Sequence, residues 1–296
     1  MITDQYVWLL WSSAFLVPWM IVYVAFPGYR RPMLWASLFT TPFGLSEPLF
    51  VPEYWMPPSL FNLAENTGFD IESLIFCFGI GGISAVFYNL LTHKMYRPVT
   101  HCERHHPLHR HHYKALLSPF VAFVVLYFFP WNPIYPSILA MFVGAIATML
   151  CRPDLKRKIW VGGVLFLIYY AFFLAGLEWT APGYIDRVWN MEVLSGVSIG
   201  FMPIEELLFA IGFGMYTGSK RGIISGATRL IAIVAGLIVG FRFRSAAESF
   251  LLDYMNLNLA GQTASFLGFC IAFTVGFIVI SSLLGYFELG LKKMNI

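Results

Sequence analysis

Charge is scarce in this sequence: only 12% of its 296 residues are Asp, Glu, Lys or Arg. A soluble domain of this length would carry about a quarter. Cysteine is scarce too. Cys77, Cys102, Cys151 and Cys270 are scattered, with no Cys-x-x-Cys pair, which excludes a disulfide framework and leaves small, apolar packing residues. No glycine-rich phosphate loop and no Gly-x-Ser-x-Gly elbow appears. No pair of aspartate-rich boxes is present to hold a magnesium diphosphate. Nothing in the chain points to nucleic acid.

Hydrophobic residues are abundant, at 58%, and the mean hydropathy is +0.69. Several apolar runs reach the roughly 20 residues that a bilayer core requires. The pattern predicts an all-α integral membrane protein of about nine (7–9) spans: 5–26, 33–51, 69–91, 115–131, 135–151, 159–177, 195–217, 222–241 and 263–287. The first lacks the basic start and small-residue cleavage site of a signal peptide, so a retained helix is expected. Aromatics make up 18% of the chain, including 29 Phe. They suit interfacial belts, and they also suit a site for a long polyene or isoprenoid.

Basic residues follow alternate spans: Arg30 and Arg31, then Lys94, Arg97, Arg104, Arg110 and Lys114, then Arg152, Lys156, Arg157 and Lys158, then Lys220 and Arg221, and finally Lys292 and Lys293. The opposite loops carry Glu53, Glu65, Asp70, Asp186 and Glu192. The positive-inside rule then predicts an outside N-terminus and a cytoplasmic C-terminus in the cell (inner) membrane. Arg242 and Arg244 break the alternation.

An internal repeat is visible. Ile71-Glu72-Ser73-Leu74-Ile75-Phe76 matches Ile204-Glu205-Glu206-Leu207-Leu208-Phe209, followed by Gly79 and Gly81 against Gly212 and Gly214. Glu47 matches Glu178 at nearly equal spacing upstream. The expected organisation is a three-helix repeat over 1–91, a His-rich cytoplasmic loop and linker helix over 92–132, a second three-helix repeat over 133–218, and C-terminal helices over 219–296. A parallel repeat of three helices needs one extra crossing, which the linker supplies. Such repeats usually place their site between the halves.

Glu72, Phe76 and Gly79 share one helical face, as do Glu205, Phe209 and Gly212. Packing of those faces would bring two carboxylates together. Glu205 and Glu206 fall near the middle of the seventh expected span, where acids usually mark function, and Pro203 is expected to kink that span and free the Ile199 carbonyl. The competing reading is that these glutamates fix helix packing by hydrogen bonding. Glu47 and Glu178 lie near the outer interface, where capping or solvation competes with chemistry. A second feature is the loop containing His101, His105, His106, His109, His111 and His112. Its histidines could ligate a metal, like one box of the membrane di-iron enzymes, or the loop could be a basic segment on anionic headgroups. No cofactor is firmly expected.

Pro203-Ile204-Glu205-Glu206-Leu207-Leu208-Phe209, with Trp189-Asn190 upstream, resembles the signature of the membrane lycopene cyclase domain family, the carotenoid-cyclase type of archaea, fungi and some actinobacteria. The first half departs from it, reading Phe69-Asp70-Ile71-Glu72-Ser73, and Glu47 to Trp55 resembles a subgroup signature of unassigned chemistry. The resemblance covers roughly 1–218. It implies two three-helix halves around a linker helix and non-redox cyclisation of a carotenoid or related isoprenoid. Glu205 would be the acid and Glu72 or Glu206 the base or tuner. Glu47, Glu178, Trp189, Asn190, Phe76 and Phe209 would lie around the substrate. Two other readings compete: a proton- or cation-coupled transporter using the paired glutamates, and a His-ligated membrane metalloenzyme. The expected partners are membrane lipid, a polyene or isoprenoid, and a second copy of the chain in a homo-oligomer.

Overall fold

The long apolar runs form helices. The computed structural model describes residues 3–96, 107, 112–218, 227–254 and 261–293. Its helices are α1 (Asp4–Ala14), α2 (Leu16–Ala25), α3 (Arg30–Thr40), α4 (Leu63–Thr67), α5 (Ile71–Leu91), α6 (His112–Tyr127), α7 (Ile134–Cys151), α8 (Lys156–Thr180), α9 (Tyr184–Val188), α10 (Ile204–Gly218), α11 (Ala227–Ser249) and α12 (Gly261–Lys293). Among the described residues five segments are long and apolar enough to cross a membrane: Asp4–Ala25, Ile71–Leu91, Ile134–Cys151, Pro153–Thr180 and Ala264–Leu283. They mark a helical membrane protein. The other expected spans are shorter or more charged here. The second is split between α3 and a 3₁₀ segment, Thr41–Leu49, and α6 and α10 have 16 and 15 residues.

The seventh expected span is corrected at its start. Helix begins at Ile204, not near 195. Residues 198–203 instead form a two-strand hairpin, β1 (Ser198–Ile199) with β2 (Met202–Pro203), pairing Ser198 with Pro203 and Ile199 with Met202. Gly200 makes its turn at φ +67°, a conformation that glycine adopts without penalty. Pro203 has no N–H to donate and so precedes the helix rather than kinking it. Glu205 and Glu206 are therefore first-turn residues of α10. Backbone N–H groups and the helix dipole favour negative charge at that end.

The chain divides into two compact units, Met1–Gly222 and Ile223–Ile296. In the first, the repeat-matched glycines seat neighbouring helices. A Cβ on Gly79 would meet Phe15, and one on Gly212 would lie 3.4 Å from Met141 Cβ. A Cβ on Gly81 would strike Thr40 of α3, and one on Gly214 would strike Phe166, Gly162 and Gly163 of α8. The absence of side chains at these positions thus lets α5 approach α3, and α10 approach α8, closely. The larger core gathers Trp8, Phe15, Trp55, Phe166, Tyr170, Tyr184, Trp189 and Phe213. In the second unit α11 and α12 pack together, with Gly236 and Gly240 of α11 against Phe269, Phe273 and Phe277.

Candidate functional site

Two loops build the site. The segment around Tyr54 pairs with the segment around Trp189: Met56 N–H donates to Val188 O (2.9 Å) and Asn190 N–H to Tyr54 O (2.9 Å), so Trp55 and Trp189 face each other as an antiparallel bridge. Their rings lie 5.2 Å apart. Asn190 Nδ2 and Asn132 Nδ2 both donate to the Glu53 carbonyl, at 3.3 and 3.0 Å. The polar side chains of this region thus brace the loop that carries Tyr54.

Glu206 lies under the bridge and is only 4% exposed. It accepts three side-chain hydrogen bonds. Trp189 Nε1 donates to Oε1 at 2.7 Å, the Tyr54 hydroxyl donates to the same oxygen, and the Tyr170 hydroxyl donates to Oε2 at 2.6 Å. Both carboxyl oxygens of this buried group are thus satisfied. Burial first, and then the Glu206 charge, push the Tyr54 hydroxyl well above its ordinary pKa, so Tyr54 remains a donor.

Glu205 is 1% exposed. Its Oε1 accepts from the Tyr135 hydroxyl (2.8 Å) and from the Ser195 backbone N–H (2.8 Å). Its Oε2 is buried with no hydrogen-bond partner. The adjacent glutamates thus have different surroundings, as their divergence of about 100° around a helix requires.

Glu47 is 8% exposed. Its Oε1 accepts from Ser73 Oγ (2.7 Å) and its Oε2 from Trp55 Nε1 (3.1 Å). Glu72 is fully buried: Oε1 accepts from the Leu60 N–H at 2.7 Å, while Oε2 has no hydrogen-bond partner. Asp70 caps α5 through the Ser73 N–H. Glu72 and Glu205 therefore bind separate loops. Each sits in the first turn of its helix and turns toward a nearby backbone N–H. Glu178, which is partly buried, accepts from the Gly183 N–H and closes the end of α8.

Beside Glu206 lies an aromatic cleft. Its walls include Trp8, Trp11, Phe15, Phe76, Tyr170, Phe173 and Trp189. Tyr170 and Trp189 thus line the cleft and hold the carboxylate at once. Phe76 and Phe209 both pack against Tyr170, with ring centroids 6.3 and 5.9 Å away. Aromatic faces stabilise positive charge, so the site joins a buried carboxylate to walls suited to a cation.

Residues 132–219 match the lycopene cyclase family model. That stretch contains Tyr135, Tyr170, Trp189, Asn190, Glu205 and Glu206. No curated protein and no solved structure matches the chain.

Tyr54, Tyr135, Tyr170 and Trp8 are not among the residues singled out from sequence. Tyr54 does fall inside the Glu47–Trp55 run noted there. Of the histidine loop, His112 opens α6 and is partly buried. His101, His105, His106, His109 and His111 lie outside the described residues. Among the described residues no group of three or more His, Cys, Asp or Glu is placed to hold a metal ion.

Proposed function

We propose that this protein is a lycopene-cyclase-like enzyme that closes a ring on a carotenoid or related isoprenoid by non-redox acid–base catalysis. The observation that carries the reading is the Glu206 carboxylate, held by Tyr54, Tyr170 and Trp189 against an aromatic cleft, within the segment that matches the family. In its protonated form Glu205 donates a proton from Oε2, the oxygen with no hydrogen-bond partner, to a terminal double bond of the polyene. A tertiary carbocation forms, and the chain closes on it. A base then removes a ring proton, so the product has the formula of the substrate. Glu206 supplies the negative charge opposite the cation, and Glu206 or Glu72 takes the proton.

The site lies between two repeats of three helical segments, the first made of α1 with α2 as one segment (Asp4–Ala25), α3 and α5, the second of α7, α8 and α10, joined through α6. Two contacts support this arrangement. Ser84 and Thr217, 133 residues apart, share a hydrogen bond, and the repeat pairs Phe76 with Phe209 at that same offset. Trp55 and Trp189, at almost the same offset, pair with each other. A twofold axis between the halves would bring equivalent residues together in this way. At the Trp bridge each half presents an indole N–H to a buried carboxylate: Trp55 to Glu47, Trp189 to Glu206. The outward loops would then be those around Tyr54 and Trp189, with the N-terminus outside and the C-terminus cytoplasmic.

The test is expression in cells that accumulate lycopene, with pigments separated by chromatography. Wild type should yield a monocyclic or bicyclic product. Glu205→Gln, present at wild-type level, should yield none. A well-expressed wild type that leaves lycopene untouched, or full activity in the variant, would overturn the assignment.

A further inference from the structure

The aromatic cleft is narrow. Its free space is about 10 Å³, room for about one water molecule, and far too little for an isoprenoid end. The cleft lies between α1 and α8, with Phe76 and Trp189 also in its walls, and Trp11 is the wall residue of α1 that is seated on α8. Trp11 lays its ring over Gly176, where an added Cβ would come within 2.3 Å of Trp11 Cη2. The indole Nε1 of Trp11 donates to Thr180 Oγ1 at 2.9 Å. Gly176 and Thr180 are one helical turn apart on α8 and together form a notch and catch for this ring. Behind it the rings of Phe15 and Phe173 stack at 3.8 Å and 13°, and Trp11 meets Phe173 edge-on at 5.7 Å. The inner end of the cleft is Tyr170 and Trp189, the donors to Glu206. Beside the cleft, Leu10 of α1 is 47% exposed and Phe172 of α8 75% exposed. In a membrane protein such side chains meet acyl chains.

We propose that this cleft is a lateral portal: the linear end of an acyclic polyene enters it from the bilayer between α1 and α8, passes Trp11 as the indole leaves its Gly176–Thr180 notch, and reaches the Glu206 site. The chemistry selects the ligand. The walls are ring faces with few polar atoms, and the stacked pairs define a flat slot. A slim, planar, unsaturated hydrocarbon end fits such a slot, whereas a polar molecule would lose hydration without gaining hydrogen bonds. The choice of a polyene rests on the cyclase reading above. The portal and its latch rest on the geometry.

The test uses the full chain in lipid nanodiscs with lycopene as the probe, read by the visible circular dichroism that an achiral polyene acquires in a chiral site. Lycopene dissolved in the lipid alone acquires none. Wild type and Glu205→Gln should both show the induced signal, because the variant removes chemistry and leaves the cleft intact. Gly176→Leu fills the notch and should lower the signal at least about tenfold, the factor that 1.4 kcal/mol of lost affinity represents. Thr180→Val adds no volume but frees the latch, and should speed the appearance of the signal. An unchanged signal in a folded Gly176→Leu, together with unchanged kinetics in Thr180→Val, would overturn the portal while leaving cyclisation standing. No signal in wild type would overturn it as well. Portal-dependent binding without any cyclised product would keep the portal and remove the cyclase reading.

Discussion

Tyr170 and Tyr169 are neighbours on α8 with opposite roles, and removing one oxygen from each separates them. The Tyr170 hydroxyl donates to Glu206 Oε2 at 2.6 Å; the Tyr169 hydroxyl is buried with no hydrogen-bond partner. Phenylalanine keeps the ring packing in both cases, including Tyr170 on Phe166 and Tyr169 on Phe173. Tyr170→Phe leaves a buried carboxyl oxygen without its donor, and a buried acceptor left unsatisfied costs about 1–3 kcal/mol. Tyr169→Phe removes a hydroxyl that has nothing to lose, so its effect should stay within about 0.5 kcal/mol or be stabilising. Thermal unfolding in one mild detergent, followed by circular dichroism, should place the Tyr170 variant clearly below wild type and the Tyr169 variant at or above it. In a Glu206→Gln background the gap between the two should shrink, because the carboxyl group that Tyr170 serves is gone. Equal losses for the two tyrosines, or a gap unaffected by Glu206→Gln, would refute the assignment of Tyr170 to the carboxylate.

Gly214→Ala should cost about 1–3 kcal/mol or more. Its Cβ would lie 2.8 Å from Gly162 O and 3.0 Å from Gly163 Cα, backbone atoms that yield only if α10 leaves α8; Gly212→Ala, with 3.4 Å to Met141 Cβ, should express and melt close to wild type. Arg187→Ala should cost less than about 1 kcal/mol and lose even that in high salt, since the Arg187–Asp4 pair is 48% and 44% exposed; a large, salt-independent drop in melting temperature would contradict that reading.

The hydrophobic runs carried much of the fold, because a segment long enough to cross a bilayer must be both continuous and apolar. Their ends were less legible. Residues 195–203 carry no charge and run on into an apolar helix, and only the geometry of Gly200 and Pro203 turns them into a hairpin that places Glu205 and Glu206 in a first turn. The glutamates stood out because acids are rare in such a chain. Their donors did not. Tyr170 lies in an aromatic-rich helix where one tyrosine resembles the next, and Tyr54 reaches Glu206 across 152 residues through a loop pairing that local patterns do not encode. Helical periodicity gives Glu72 and Glu205 a face, but not the backbone N–H that each accepts from, Leu60 and Ser195.

The proton is the most direct probe of the proposed chemistry. Purified protein given lycopene in D₂O, with the product analysed by mass spectrometry and NMR, should place one carbon-bound deuteron in each ring formed, at the position protonated by the acid, and Glu205→Gln should form no ring. A cyclised product without solvent deuterium, or one whose mass shows net loss of hydrogen, would contradict non-redox acid catalysis at this site.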